Sequence, residues 1–140
     1  MSPVPIQLNA AGVDLGPRYF RTATVVASPA AAAETIVASL TITEDLAVSK
    51  GIALVGFGAF TVGASGVSVN MRIRKTDVVG TALKATGAIT YTAADLGALT
   101  VVAFDTAPTL PNQVYVLTAI VASGAAASTF SAVELQALVL

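Results

Sequence analysis

The 140-residue sequence contains no cysteine, no histidine and no tryptophan. Without cysteine there can be neither a disulfide nor a thiolate metal site, and the redox compartment leaves no mark on the chain. Without histidine the commonest general base and the commonest transition-metal ligand are both missing. Ser–His and Cys–His nucleophile pairs are thereby excluded. The lack of tryptophan weakens a role in stacking on sugar rings.

Charge is scarce as well. Lys and Arg number 7 and Asp and Glu number 8, so charged residues make up 11% of the chain, against about 25% in an ordinary soluble domain. A monomer of this mass would expose roughly 6,700 Å², or about one charged group per 450 Å². Apolar patches of that size usually mark interaction sites. A net charge of −1 and a pI near 5.1 speak against a nucleic-acid partner, because phosphate binding needs clustered cations. The one basic cluster is Arg72, Arg74 and Lys75. It reads as the polar face of a strand, with a small footprint for an acidic partner as the alternative.

The acidic residues do not converge on chemistry. Glu44 and Asp45 are the only adjacent pair, and neighbours on a strand point to opposite faces. A solvated turn explains them, and no series of oxygen ligands of the EF-hand type appears. Gly56-Phe57-Gly58 and Gly63-Ala64-Ser65-Gly66 have no phosphate-loop lysine after them and read as strand kinks or close backbone packing. No catalytic, metal or cofactor-binding residue is expected, and the chain is not expected to be an enzyme.

Mean hydropathy is high, at +0.81. The longest uncharged stretches, Gly51–Met71 and Thr106–Val133, are broken by glycines, prolines or a Ser-Gly pair. Neither is a continuous apolar run of about 20 residues. The first residues, Met1-Ser2-Pro3-Val4-Pro5, show no basic region before an apolar core, so a usual signal peptide is not expected. The expectation is a soluble chain made in the cytoplasm, with no membrane partner.

What is present is β-sheet texture. Short runs rich in Val, Ile, Thr and aromatics are broken by Gly, Pro, Asp and Ser, the spacing of a sandwich or barrel. Eight strands are predicted, near Tyr19–Ser28, Glu34–Thr43, Ile52–Val62, Val67–Thr76, Thr81–Thr92, Ala98–Asp105, Gln113–Ala122 and Thr129–Leu140. The clearest holds Val67, Val69, Met71 and Ile73 alternating with Ser68, Asn70, Arg72 and Arg74, one face dry and one wet. A hairpin across Gly63–Gly66 should join it to the run before it. Val114–Val121 is apolar on both faces, so its outer side should lie under a loop or against another subunit. The uncharged ending Leu138-Val139-Leu140 should be paired inside a sheet.

Residues 1–17 read as an extended arm and residues 18–140 as a single β-sandwich domain. Pro3, Pro5 and Pro17 disfavour regular structure in the arm, yet Val4, Ile6, Leu8, Val13 and Leu15 are apolar. Such an arm either packs on its own domain or lies on a neighbouring subunit.

Eight strands, an apolar arm, few charges and abundant Ala, Thr, Gly and Val together resemble the small jelly-roll cement, or decoration, proteins of tailed bacteriophages, most of all that of a Bordetella phage. The resemblance covers the whole chain in length and texture and rests on no signature motif. It implies an all-β, eight-stranded antiparallel jelly-roll-like sandwich with an extended N-terminal arm. It also implies a virion protein on the capsid exterior that binds the major capsid protein and stabilises the shell. Self-association is expected too, as a homodimer rather than a homotrimer. The expected contact residues are Val4, Ile6 and Leu8 of the arm, Tyr19 and Phe20 as aromatic anchors, and Arg72 and Arg74. The alternative function is a ligand- or carbohydrate-binding β-sandwich module of a fibre or secreted protein, for which Tyr91 beside Asp95 is the nearest candidate site.

Overall fold

Alternation at a period of two commits these runs to strands with one face in a shared core. The computed structural model describes residues 18–22, 25–27, 33–62, 66–92, 96–122 and 129–140. Val4, Ile6 and Leu8 lie outside the described residues, as does the arm they belong to. The described elements are β1 (Tyr19–Arg21), β2 (Val25–Ala27), β3 (Thr35–Ile42), β4 (Ile52–Thr61), β5 (Val67–Lys75), β6 (Ala82–Ala85), β7 (Ile89–Tyr91), β8 (Leu96–Asp105), β9 (Gln113–Ala122) and β10 (Thr129–Val139). Among the described residues no helix is long and apolar enough to cross a membrane.

The ten strands fill eight lanes. β1 and β2 pair with successive stretches of β10, and β6 and β7 pair with successive stretches of β5. The first sheet therefore runs β1/β2–β10–β4–β8 and the second β3–β9–β5–β6/β7, with every pair antiparallel. Numbered by lane, the orders are 1-8-3-6 and 2-7-4-5, two interlocked Greek keys forming a jelly roll.

Two predicted strands are each cut in two, for local reasons. At Thr22 the side-chain oxygen accepts from Leu135 N at 3.0 Å while Thr22 N donates to Leu135 O at 2.9 Å. A hydroxyl has replaced a carbonyl in the ladder there, and the strand lapses. At Thr86 the hydroxyl likewise accepts from Met71 N at 3.0 Å. Gly87 follows with φ +78, a left-handed turn that ends β6 and redirects the chain into β7.

The hairpin predicted between the third and fourth runs, which are β4 and β5 of the structure, is not formed. β4 lies between β10 and β8 in the first sheet, while β5 lies between β9 and β6/β7 in the second. A turn signal reports that the chain reverses; it carries no information on whether the two strands share hydrogen bonds.

The core sits between the sheets. Val67, Val69, Met71 and Ile73 face it from β5, and Tyr115, Leu117, Ala119 and Val121 from β9. Ile52, Leu54 and Phe60 of β4 meet them from the other side, with Phe130, Val133, Leu135, Ala137 and Val139 of β10. Gly56 and Gly58 also point inward from β4. A Cβ on Gly56 would stand 2.6 Å from Leu117 Cδ1, and one on Gly58 would stand 2.9 Å from both Met71 Cε and Phe130 Cε1. These glycines make room for large side chains arriving from the opposite sheet and from β10, the close-packing role expected for them.

Candidate interaction surface

The outward positions of the first sheet form rows across its strands. Tyr19, Leu138, Ala53 and Phe104 stand in register on β1, β10, β4 and β8. The next row outward-facing is Arg21, Gln136, Val55 and Val102, followed by Glu134, Phe57 and Thr100, then Ala132, Ala59 and Ala98. Tyr19, Leu138, Phe104 and Val102 keep 47%, 43%, 45% and 61% of their surface in solvent, and Phe57 is exposed too. Among the described residues, five of the nine large apolar side chains left exposed belong to this one face. Its charges are Arg21 and Glu134, 3.8 Å apart. A shallow groove of about 240 Å³ lies between Tyr19, Ala53, Val55 and Leu138. A contiguous apolar face bordered by a single ion pair has the composition of a protein-contact surface.

The outer face of the second sheet is built differently. Glu34, just before β3, reaches across β9 to β5. Its carboxylate accepts from Arg72 Nη1 at 2.9 Å and from Arg74 Nε at 2.7 Å and Nη2 at 3.2 Å. Arg72 is in register with Thr118 and Arg74 with Val116, and both Thr118 and Val116 are buried. Among the described residues, the apolar outer side of β9 is thus covered over Thr118 and Val116 by an ion-paired strap from its own chain. The basic cluster is internally matched: Arg72 and Arg74 are held by Glu34, and Lys75 by Asp105.

Asp105 is the one buried carboxylate among the described residues. It ends β8 in the first sheet and receives groups from the second. Tyr115 Oη donates to Oδ2 at 2.7 Å, Lys75 Nζ lies 3.0 Å from Oδ2, and Ala107 N donates to Oδ1 at 3.0 Å. Burial alone would raise the Asp105 carboxyl, but the hydrogen bonds from Tyr115 and Ala107 and the Lys75 ammonium outweigh it, leaving the group below its ordinary value. Burial, then the adjacent Asp105, pushes the Tyr115 hydroxyl well above its ordinary value of 10, so it stays protonated as a donor. A carboxylate bonded in this way by groups of both sheets ties the two sheets together. Among the described residues, no group of three carboxylates converges as a metal site would.

Of the expected contact residues that are described, Tyr19 heads the exposed apolar row. Phe20, one residue on, faces the other way and packs against the core. Arg72 and Arg74 form the strap with Glu34. Tyr91, the aromatic of the ligand-module alternative, meets Phe60 edge-on at 5.1 Å and is partly withdrawn into the core; Asp95 lies outside the described residues. The sequence reading missed Phe57, Val102, Phe104 and Leu138. Their signal was present in the alternation of the third, sixth and eighth predicted runs, but only the strand order brings them onto one face.

No family model and no curated protein matches the chain. Solved structures match it by fold. A structure of the Gx strain of infectious bursal disease virus aligns over 94% of this chain and 36% of that one, at 16% identity and a TM-score of 0.57. A structure of T=1 particles derived from the same virus aligns over 98% and 36%, at 16% identity and 0.58. A subunit of Bacillus endospore appendages, described as disulfide-linked pili, aligns over 89% and 90%, at 19% identity and 0.48. The chain spans just over a third of the length of the viral chains it matches. Strand order and likeness together define the fold: an all-β jelly-roll sandwich, similar to part of the viral chains.

Proposed function

We propose that this chain is a structural virion protein that binds the outer surface of a tailed-phage capsid, as a homodimer, and cements neighbouring major capsid subunits. The observation that carries this reading is the exposed apolar face of the first sheet, set on a rigid jelly roll. The likeness to infectious bursal disease virus particles supports a place among shell proteins, and the texture of the sequence supports a cement protein in particular. No acid–base pair on the described surface supports catalysis as an alternative.

The mechanism is mass action. A protein that binds the assembled shell and not its separated subunits shifts the equilibrium toward the shell, and repeated contacts over a symmetric lattice add avidity. Tyr19, Phe57, Val102, Phe104 and Leu138 would supply the apolar contact.

The test is reconstitution on phage shells stripped of this chain, read by co-sedimentation and by copy number per major capsid protein. Wild type should bind at a fixed ratio. Val102→Lys combined with Leu138→Lys should lower affinity at least tenfold, about 1.4 kcal/mol, with an unchanged circular dichroism spectrum. Wild-type chain that stays in the supernatant, or a double variant that binds equally well, would sink the reading.

A further inference from the structure

Three of the four sheet edges are interrupted. The β1/β2 edge lapses at Thr22 and faces a bulge in β10 between Phe130 and Val133. The β6/β7 edge is broken at Gly87, and β3 carries a bulge between Ile36 and Ala38. β8 is different: it pairs with β4 through ten consecutive residues without a shift. From Leu96 to Phe104 it has no charge and no proline. An edge of this kind is a template for another strand, and proteins normally blunt it with charges, prolines or bulges. Beside it runs a groove of about 350 Å³ between the two sheets, lined by Leu99, Val101 and Val102 of β8 and by Lys84, Thr86 and Ile89. An added strand would lay every second side chain into that groove.

The first residues of the same sequence fit that place. Val4, Ile6 and Leu8 alternate with Pro5, Gln7 and Asn9, and Pro3 shares the parity of Pro5. In an extended strand the N–H and C=O of alternate residues point to the same side. With Val4, Ile6 and Leu8 bonded to β8, both prolines turn their missing N–H outward, the only side an edge strand tolerates. In one of the two possible strand directions, the same register also points these three apolar side chains to the groove side of the edge. The described chain starts at Arg18 beside β1, which is the opposite edge of the sheet that ends in β8. Residues 1–17 could extend over about 55 Å, far enough to leave the molecule.

We propose that residues 3–9 of one copy add as a strand to the β8 edge of a neighbouring copy, an edge unpaired among the described residues, so that two chains are joined by exchanged arms. This deepens the cementing role, resting on it only for its biological setting, since the exchange is measurable without any shell. Light scattering at micromolar concentration should show the full chain as a dimer and the chain lacking residues 2–9 as a monomer with the same β-sheet circular dichroism. A peptide of residues 2–10 should bind the shortened chain. Parity supplies the sharper test: Ile6→Pro removes a ladder donor and should weaken association at least tenfold, whereas Gln7→Pro removes an outward one and should change it less than threefold. A monomeric full chain, a shortened chain that still dimerises, or equal effects of the two prolines would each overturn the proposal. Loss of exchange with shell binding intact leaves the cement reading standing; intact exchange without shell binding overturns that reading alone.

Discussion

At the scale of single residues, the group with the greatest leverage on stability is Asp105. It is the point where β8 of one sheet meets Tyr115 of β9 and Lys75 of β5 in the other. Asp105→Asn leaves Lys75 facing an amide that cannot neutralise it, and breaking a buried pair from one side costs about 3 kcal/mol. Thermal unfolding should record this as a drop in Tm of roughly 10 °C. The same group sets an acid limb. Its folded-state pKa is depressed from the ordinary 3.8, so its stabilisation is complete above that value and is lost as pH falls through and below it. Denaturant midpoints of the wild type should therefore hold between pH 5 and 8 and fall below about pH 4, and Asp105→Asn should flatten part of that fall. A variant as acid-sensitive as wild type would remove Asp105 from this role.

At the scale of elements, β9 shows what a doubly apolar strand needs. It is central in its sheet, its inner side meets the core, and its outer side is closed by Glu34 bridging to Arg72 and Arg74. The sequence shows both faces of β9 to be apolar, but the cover is assembled from Glu34 and from two arginines 38 and 40 residues further along the chain. Glu34→Ala would leave two guanidinium groups side by side over Thr118 and Val116. The site is intermediate between surface and core, so the expected loss is about 1–2 kcal/mol, read from urea midpoints. An unchanged midpoint would mean that the strap is ornamental and that packing of the arginine stems alone closes the face. The edges follow a similar logic. The interruptions at Thr22 and Gly87 were hidden in the sequence, because one comes from a hydroxyl entering a ladder and the other from a local φ value.

At the scale of the whole molecule, the jelly roll makes the chain's four inner lanes β10, β4, β9 and β5 depend on long-range pairing. Amide exchange should be slowest in these four and fastest in β1, β6 and β7, because edge lanes open with fewer broken contacts. Comparable protection of β6 and β9 would contradict the strand order. The two outer faces also differ at this scale. One is matched internally by ion pairs, and the other presents Tyr19, Leu138, Phe57, Val102 and Phe104 to its surroundings. That asymmetry gives the molecule a side suited to a partner.

The division between sequence and structure follows from the reach of the forces involved. Period-two alternation and turn residues act over a few positions, and they were enough to place eight strands, the sandwich class and the paired ending of the chain. Missing cysteine and histidine settled the absence of thiol and imidazole chemistry without any coordinates. Strand order is decided by which faces can be buried together, a property of all lanes at once. It sent β4 and β5 to different sheets despite the glycine-rich turn signal in the sequence between them. It turned Phe20 inward while Tyr19 stayed out, and it matched Arg72 and Arg74 to Glu34. It also gathered an apolar surface from strands up to 119 residues apart in register, Tyr19 beside Leu138, because hydrogen-bonded neighbours in a sheet need not be neighbours along the chain.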